Sequence, residues 1–296
     1  MSDNRIRIAA CQYAIRPIER WEQFCAQVTG MAAAAQDYGA RLLVLPEYFT
    51  LQLLTLGDVR APMPEQMRGL AKHVPAFVEL MSGLAKKNAM CIVAGTIPVV
   101  EGERVFNDSF IFGSGGDHVA QGKLHMTRWE REELLISARR GLKVIETDFG
   151  KLAVAICYDV EFPEVARMAA RAGATVLAVP SCTDDRNGFL RVRYCAHARA
   201  VENQMIVVHA GTVGMLAAVP NAALHYGQAA ILTPSDLPFA RDGILVEGTV
   251  NHEAVVVGEV DLGAIVRSRE SGTVLTLKDS ETTAEAVGVV EVVGLR

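Results

Sequence analysis

Apolar residues fall along this chain in short runs: "IRIAACQYA" from 6, "RLLVLPE" from 41, "AMCIVAGTI" from 89, "NDSFIFG" from 107, "KLAVAICYD" from 151, "ATVLAVPS" from 174, "MIVVHAGT" from 205, "QAAILTPS" from 228 and "EAVVVGEVDL" from 253. Such runs read as strands, and helical spacing of apolar positions between several of them predicts helices over 19–38, 64–87, 162–172 and 188–203. The alternation is that of an α/β fold. The central runs are apolar almost throughout, as in strands covered on both faces, whereas the later ones alternate more. "AAAAQDYGARLLVLPE" (32–47) and "ARMAARAGATVLAVPS" (166–181) both run alanine-rich helix, glycine, apolar strand, then proline and a polar residue. That repeat suggests two similar layers packed back to back.

No Pro/Ser/Gly-rich linker divides the sequence, so one domain is expected over 1–270, followed by a tail over 271–296. The tail ends in "AVGVVEVVGLR", too apolar to hang free in water. It is expected to bury itself as an edge strand or across a neighbouring subunit, which points to a homodimer or a larger assembly of dimers.

Half of the 296 residues are hydrophobic, enough for a large core. The net charge of -5 is spread without long single-sign blocks, which argues against nucleic acid or an anionic membrane as partner and favours a small molecule. The opening "MSDNRIRIAACQYA" lacks the basic start and apolar stretch of a secretory signal, and no apolar run reaches spanning length, so a cytoplasmic location is expected. Six cysteines, at 11, 25, 91, 157, 182 and 195, form no Cys-x-x-Cys pair, so neither a metal site nor a disulfide framework is expected.

In open α/β sheets functional groups gather beyond the carboxyl ends of strands. Glu47 follows "RLLVLP", Lys123 follows "HVAQG" and Cys157 closes "KLAVAI". Singly, these read as a turn cap, a solvated loop charge and core filling. Together they are complementary: a carboxylate takes the thiol proton, an ammonium favours the thiolate and then an oxyanion, and the sulfur attacks a carbonyl or nitrile carbon. The helix beginning near "FPEVARMAARAG" would add its N-terminal dipole, with Asp159, Glu161 and Glu164 as structural acids at its start and Pro163 at its first position. A sharp strand-to-helix turn would free the Tyr158 amide as an oxyanion donor.

The segments "LPEYF" (45–49), "GKLHMT" (122–127) and "ICYDVEFPE" (156–164) resemble the nitrilase superfamily of carbon–nitrogen hydrolases, in order and spacing. That resemblance covers nearly the whole chain. It implies a four-layer α-β-β-α sandwich and a Glu-Lys-Cys triad falling on Glu47, Lys123 and Cys157, with no cofactor. It also implies a second glutamate after the lysine, for which Glu130 is the best positional match, with Glu132 and Glu133 close by. The stretches 182–204 and 230–251 are similar to a branch of predicted amidohydrolases sometimes fused to an N-terminal acetyltransferase domain, which is not expected in this chain. The resemblance gives amide, nitrile or carbamoyl hydrolysis as the reaction class, and a catalytically silent scaffold is the rival.

Tyr48, beside Glu47, joins Tyr158 as a substrate-side candidate. Asp184, Asp185 and Arg186 follow the strand "ATVLAVPS" and should stand at the same rim, the two carboxylates favouring a cationic substrate group. Tyr194 is a further candidate for the pocket wall. Arg199, Glu202 and Asn203 read as a structural network. His125 and His209 raise a cysteine-histidine alternative, but neither lies in a local cysteine-protease signature. "GSGG" at 113–116 lacks the ending of a phosphate loop and reads as a hairpin turn.

Overall fold

The structure is a computed structural model that describes residues 4–220 and 222–295. Along the chain run β1 (Arg5–Ile15), α1 (Trp21–Asp37), β2 (Ala40–Leu45), α2 (Met63–Leu70), α3 (Val74–Asn88), β3 (Cys91–Ala94), β4 (Ile97–Glu101), β5 (Arg104–Phe112), β6 (His118–Gly122), α4 (Arg128–Glu132), β7 (Ile136–Ser137), β8 (Val144–Thr147) and β9 (Gly150–Val154). Then come α5 (Pro163–Arg171), β10 (Val176–Ser181), α6 (Arg186–Asn203), β11 (Ile206–Met215), β12 (Leu224–His225), β13 (Ala230–Leu232), β14 (Ile244–Glu247), β15 (Ala254–Asp261), α7 (Leu262–Ser271), α8 (Thr276–Asp279) and α9 (Thr283–Val287). Short 3₁₀ turns cover Phe49–Leu56, Ala71–His73 and Cys157–Glu161.

The strands follow the path β4-β5-β3-β2-β1-β11-β10-β9-β8. Its hinge is β1, which pairs with β2 over Arg7–Ala10 and with β15 over Arg5–Gln12, then meets β11 only at its end, Gln12–Ile15. The two arms therefore curl face to face. Alternate residues of β1 and β2, Ile8, Ala10, Leu42 and Val44, join one core with Val176, Ala178, Ile206 and Val208 of the opposite arm. Their neighbours Ala9, Cys11, Leu43 and Leu45 point outward into a second core with Phe24, Val28, Phe77 and Met81 of α1 and α3. Helices α5 and α6 cover the other arm through Val165, Ala169, Val192 and Ala196. This is the four-layer α-β-β-α sandwich, and its two inner layers explain the unbroken apolar runs.

The repeated pattern in the sequence maps onto equivalent places: α1 leads into β2, and α5 into β10, each strand parallel to its flanking neighbours. Gly39 and Gly173 make the two turns with φ of +69° and +94°, where a side chain is strained.

Two expectations differ from what is seen. The helix predicted over 64–87 is broken at Ala71–His73, because Pro75 lacks an amide hydrogen and restarts the helix as α3. The end of the tail is not an edge strand on its own subunit: the described residues beyond α9, 288–295, form no helix or strand, and Val289 and Val292 are 89% and 98% exposed. The hairpin at 113–116 joins β5 to β6, closed by Gly113 N–H donating to Asp117. Among the described residues no helix is long and apolar enough to cross a membrane.

Candidate active site

Three strand ends converge. Glu47 lies just beyond β2, Lys123 just beyond β6 and Cys157 just beyond β9, so the first two come from one arm of the sandwich and the cysteine from the other. All three are buried. The Lys123 ammonium donates to Glu47 Oε1 at 2.8 Å and to Glu130 Oε2 at 2.6 Å. Asn107 Nδ2 on β5 donates to the same Glu47 oxygen at 2.9 Å, and the Cys182 amide donates to Oε2 at 3.1 Å. Glu47 is thus held from both arms of the sandwich, and the Cys157 thiol donates to the Cys182 carbonyl at 3.7 Å.

Cys157 opens the 3₁₀ turn with φ of +46°, a left-handed conformation that is costly for a residue with a Cβ. Asp159 maintains this elbow. Its buried carboxylate accepts from the amides of Leu124 (3.1 Å), His125 (2.8 Å) and Ile156 (3.3 Å), and pairs with His125 Nδ1 at 3.0 Å. The segment carrying Lys123 is thereby tied to the turn carrying Cys157. Asp159 is not an acid in the first turn of α5; that place belongs to Glu164, with Pro163 at the helix start. The cysteine itself sits at the 3₁₀ turn and not at the N-terminus of α5.

Electrostatics at the site run against the simple expectation that Lys123 makes a thiolate. Burial, reinforced by Glu47, pushes the Cys157 thiol well above its ordinary value despite Lys123. Burial also raises Glu47 to about 7, against the pull of Lys123. For Lys123 burial works downward, but Glu130 and Glu47 outweigh it and hold the ammonium firmly charged. For Glu130 burial works upward and is outweighed by Lys123 and the Thr127 hydrogen bonds, so its carboxyl lies below the usual range. The resting arrangement is a neutral thiol facing a carboxylate of raised basicity, which suits proton transfer during attack.

Of the acids after the lysine, the fold brings Glu130 to Lys123; Glu132 pairs with Arg128 on the surface and Glu133 lines the pocket mouth. Thr127 caps the short helix α4 and aims Glu130 inward, its amide and hydroxyl both 3.0 Å from Oε2. Tyr48 is not on the substrate side: it is buried, and its hydroxyl donates to Glu130 Oε1 at 3.1 Å. Tyr158 does line the pocket, and its amide lies in the first turn of the 3₁₀ segment, where amides have no partner within the turn.

The pocket above Cys157 holds about 410 Å³. Asp184 lines it, whereas Asp185 caps α6 by accepting from the Gly188 amide at 2.6 Å, and Arg186 begins that helix outside the pocket wall. Tyr194, 65% exposed, is not in the wall either. Arg199, Glu202 and Asn203 form the expected network. His125 stacks on Phe162, and His209 is buried against Phe189, so neither reaches Cys157. Sequence reasoning missed Asn107, Arg191, His225 and Cys182. The polar Asn107 inside an apolar strand and Cys182 directly after β10 were signals; His225 comes from a two-residue strand with no pattern. Cys182 shares the pocket, its sulfur 3.5 Å from His225 Nδ1, and Cys25, Cys182 and Cys195 are only partly buried.

Residues 7–270 match the family described as Carbon-nitrogen hydrolase. The chain is 43% identical over 274 residues to a probable hydrolase, YhcX, of Bacillus subtilis, covering 93% of this chain and 53% of that protein; it thus spans about half the length of that relative. It is 29% identical over 254 residues to the omega-amidase NIT3 of Saccharomyces cerevisiae, with 81% of each chain covered. The crystal structure of Saccharomyces cerevisiae Nit3, of branch 10 of the nitrilase superfamily, superposes with a TM-score of 0.74 at 26% identity, covering 90% of this chain and 94% of the other. An amidase from Nesterenkonia shares the fold, with a TM-score of 0.71 at 23% identity over 90% of this chain and 97% of its own.

Proposed function

The chain belongs to the carbon-nitrogen hydrolase family, and we propose that it hydrolyses a small-molecule amide through a thioester on Cys157. The observation that carries this reading is a buried thiol at a pocket beside a carboxylate fixed by three separate donors. Glu47 takes the thiol proton as sulfur bonds to the amide carbon. Lys123 and the Tyr158 amide hold the oxyanion. Collapse returns the proton from Glu47 to the leaving nitrogen, releasing ammonia or an amine and leaving the acyl group on sulfur. Glu47 then deprotonates water, which attacks the thioester and regenerates the thiol. Glu130 keeps the ammonium charged and oriented. The same atoms serve a nitrile or an N-carbamoyl compound.

We place the enzyme in the cytoplasm, where a reducing environment preserves a catalytic thiol, and read it as a homodimer. An exposed apolar face of Met168 on α5 and Tyr194 and Val201 on α6 supports pairing, as do the exposed tail valines. Ammonia release across a panel of primary amides, N-carbamoyl amines and nitriles tests the reaction. Turnover of amides that is lost in Cys157→Ala is expected. Absence of turnover across the whole panel would instead favour a silent scaffold.

A further inference from the structure

Four carboxylate or guanidinium side chains stand in the wall of the pocket above Cys157: Glu133, Glu161, Asp184 and Arg191. Arg191 is spent on Glu161, its Nε 2.9 Å from Oε1. Glu133 and Asp184 have no ion-pair partner among the described residues. The wall's histidine, His225, adds no positive charge, because burial holds it near 4 and its two nitrogens face Thr212 and the Ala222 carbonyl. At the floor, two carboxylates face one ammonium. Every cation around the cavity is thus matched or outnumbered, and two carboxylates at the mouth are left over. Trp129, half-buried and edge-to-face with Tyr48, contributes an aromatic side chain to the same pocket.

We propose that this pocket selects amides whose end remote from the scissile bond carries an ammonium group, with Asp184 and Glu133 as the specificity determinants. The inference rests on the amide-hydrolase reading and gives it a substrate class. A remote carboxylate would lose hydration while approaching unmatched charges of its own sign, and a remote ammonium would gain the attraction. Asp185, which the sequence also offered, takes no part, since its carboxylate is committed to the helix cap.

Two measurements test it. The first compares kcat/KM for butyramide, 4-aminobutyramide and succinamate. The order ammonium, neutral, carboxylate is expected, with about tenfold between the first and last, shrinking at high ionic strength because both determinants are exposed. The second needs no turnover: labelling of Cys157 by trimethylammonium-ethyl and by sulfonato-ethyl methanethiosulfonate, each normalised to a model thiol and assigned by peptide mass mapping so that Cys182 is counted apart. The cationic reagent should label about tenfold faster, and Asp184→Asn combined with Glu133→Gln should bring the ratio to within about twofold. Succinamate turned over as fast as 4-aminobutyramide, or a labelling ratio near one in the unmodified protein, would overturn the charge selection and leave amide hydrolysis standing. Failure of all three amides with the labelling ratio intact would sink the amide reading and uphold the charge selection.

Discussion

Glu47, Lys123 and Glu130 share one buried compartment, and burial, helped by the second carboxylate of Glu130, raises Glu47 to about 7 against the pull of Lys123. A base acts only when unprotonated, so kcat/KM should climb with pH below about 7 and level off above it. A pH–rate profile checks this, and a flat profile between pH 5 and 8 would exclude Glu47 as the base. Lys123→Ala should do more than abolish turnover. It leaves Glu47 and Glu130 buried without a cation, at a cost of about 3–5 kcal/mol near neutral pH. Both carboxyls would then have folded values above their unfolded ones, so stability is present at low pH and lost as pH rises through the folded values. Denaturant melts of Lys123→Ala at pH 5 and pH 8 should show the larger deficit at pH 8.

At the scale of elements, the two helix-glycine-strand units set the direction in which β2 and β10 enter the sandwich. Gly39→Ala forces a Cβ into a left-handed turn and should cost about 1 kcal/mol. Gly30→Ala, on the exposed side of α1 with nothing within 4 Å of the added carbon, should stabilise by about 0.5–1 kcal/mol. Equilibrium unfolding of the two variants gives opposite signs if the helix and its cap are as described. The strands were legible because a strand covered on both faces must be apolar in every position, and the strand-end logic located Glu47, Lys123 and Cys157. Less legible was whatever depends on contacts distant in sequence. Asp159 looked like a helix-start acid because its partners lie at 124 and 125, brought near only by folding. Glu130 could be separated from Glu132 and Glu133 only once Thr127 had capped α4 and turned one of the three inward. The break before α3 was readable from Pro75, a local signal that the apolar spacing masked.

At the scale of the whole molecule, the face of α5 and α6 and the exposed valines of the tail are apolar surface left uncovered in one chain. Light scattering at micromolar concentration should give a mass of two chains or a multiple, and removal of residues 283–296 should shift it toward one. A single-chain mass for the intact protein would contradict the assembly. The sandwich also brings chemistry from one sheet to the other: Glu47 and Lys123 arrive on strands of the first arm, Cys157 and the Cys182 amide on strands of the second. Glu47 serves both formation and hydrolysis of the thioester, so Glu47→Gln should leave Cys157 unacylated. The most direct measurement is peptide mass spectrometry of the unmodified protein, acid-quenched during turnover of a slowly hydrolysed primary amide. The account predicts an acyl mass added at Cys157, absent from Cys157→Ala, with Cys182 unmodified in the same pocket. A stoichiometric adduct on Cys182 or Cys195 with Cys157 unmodified would contradict it.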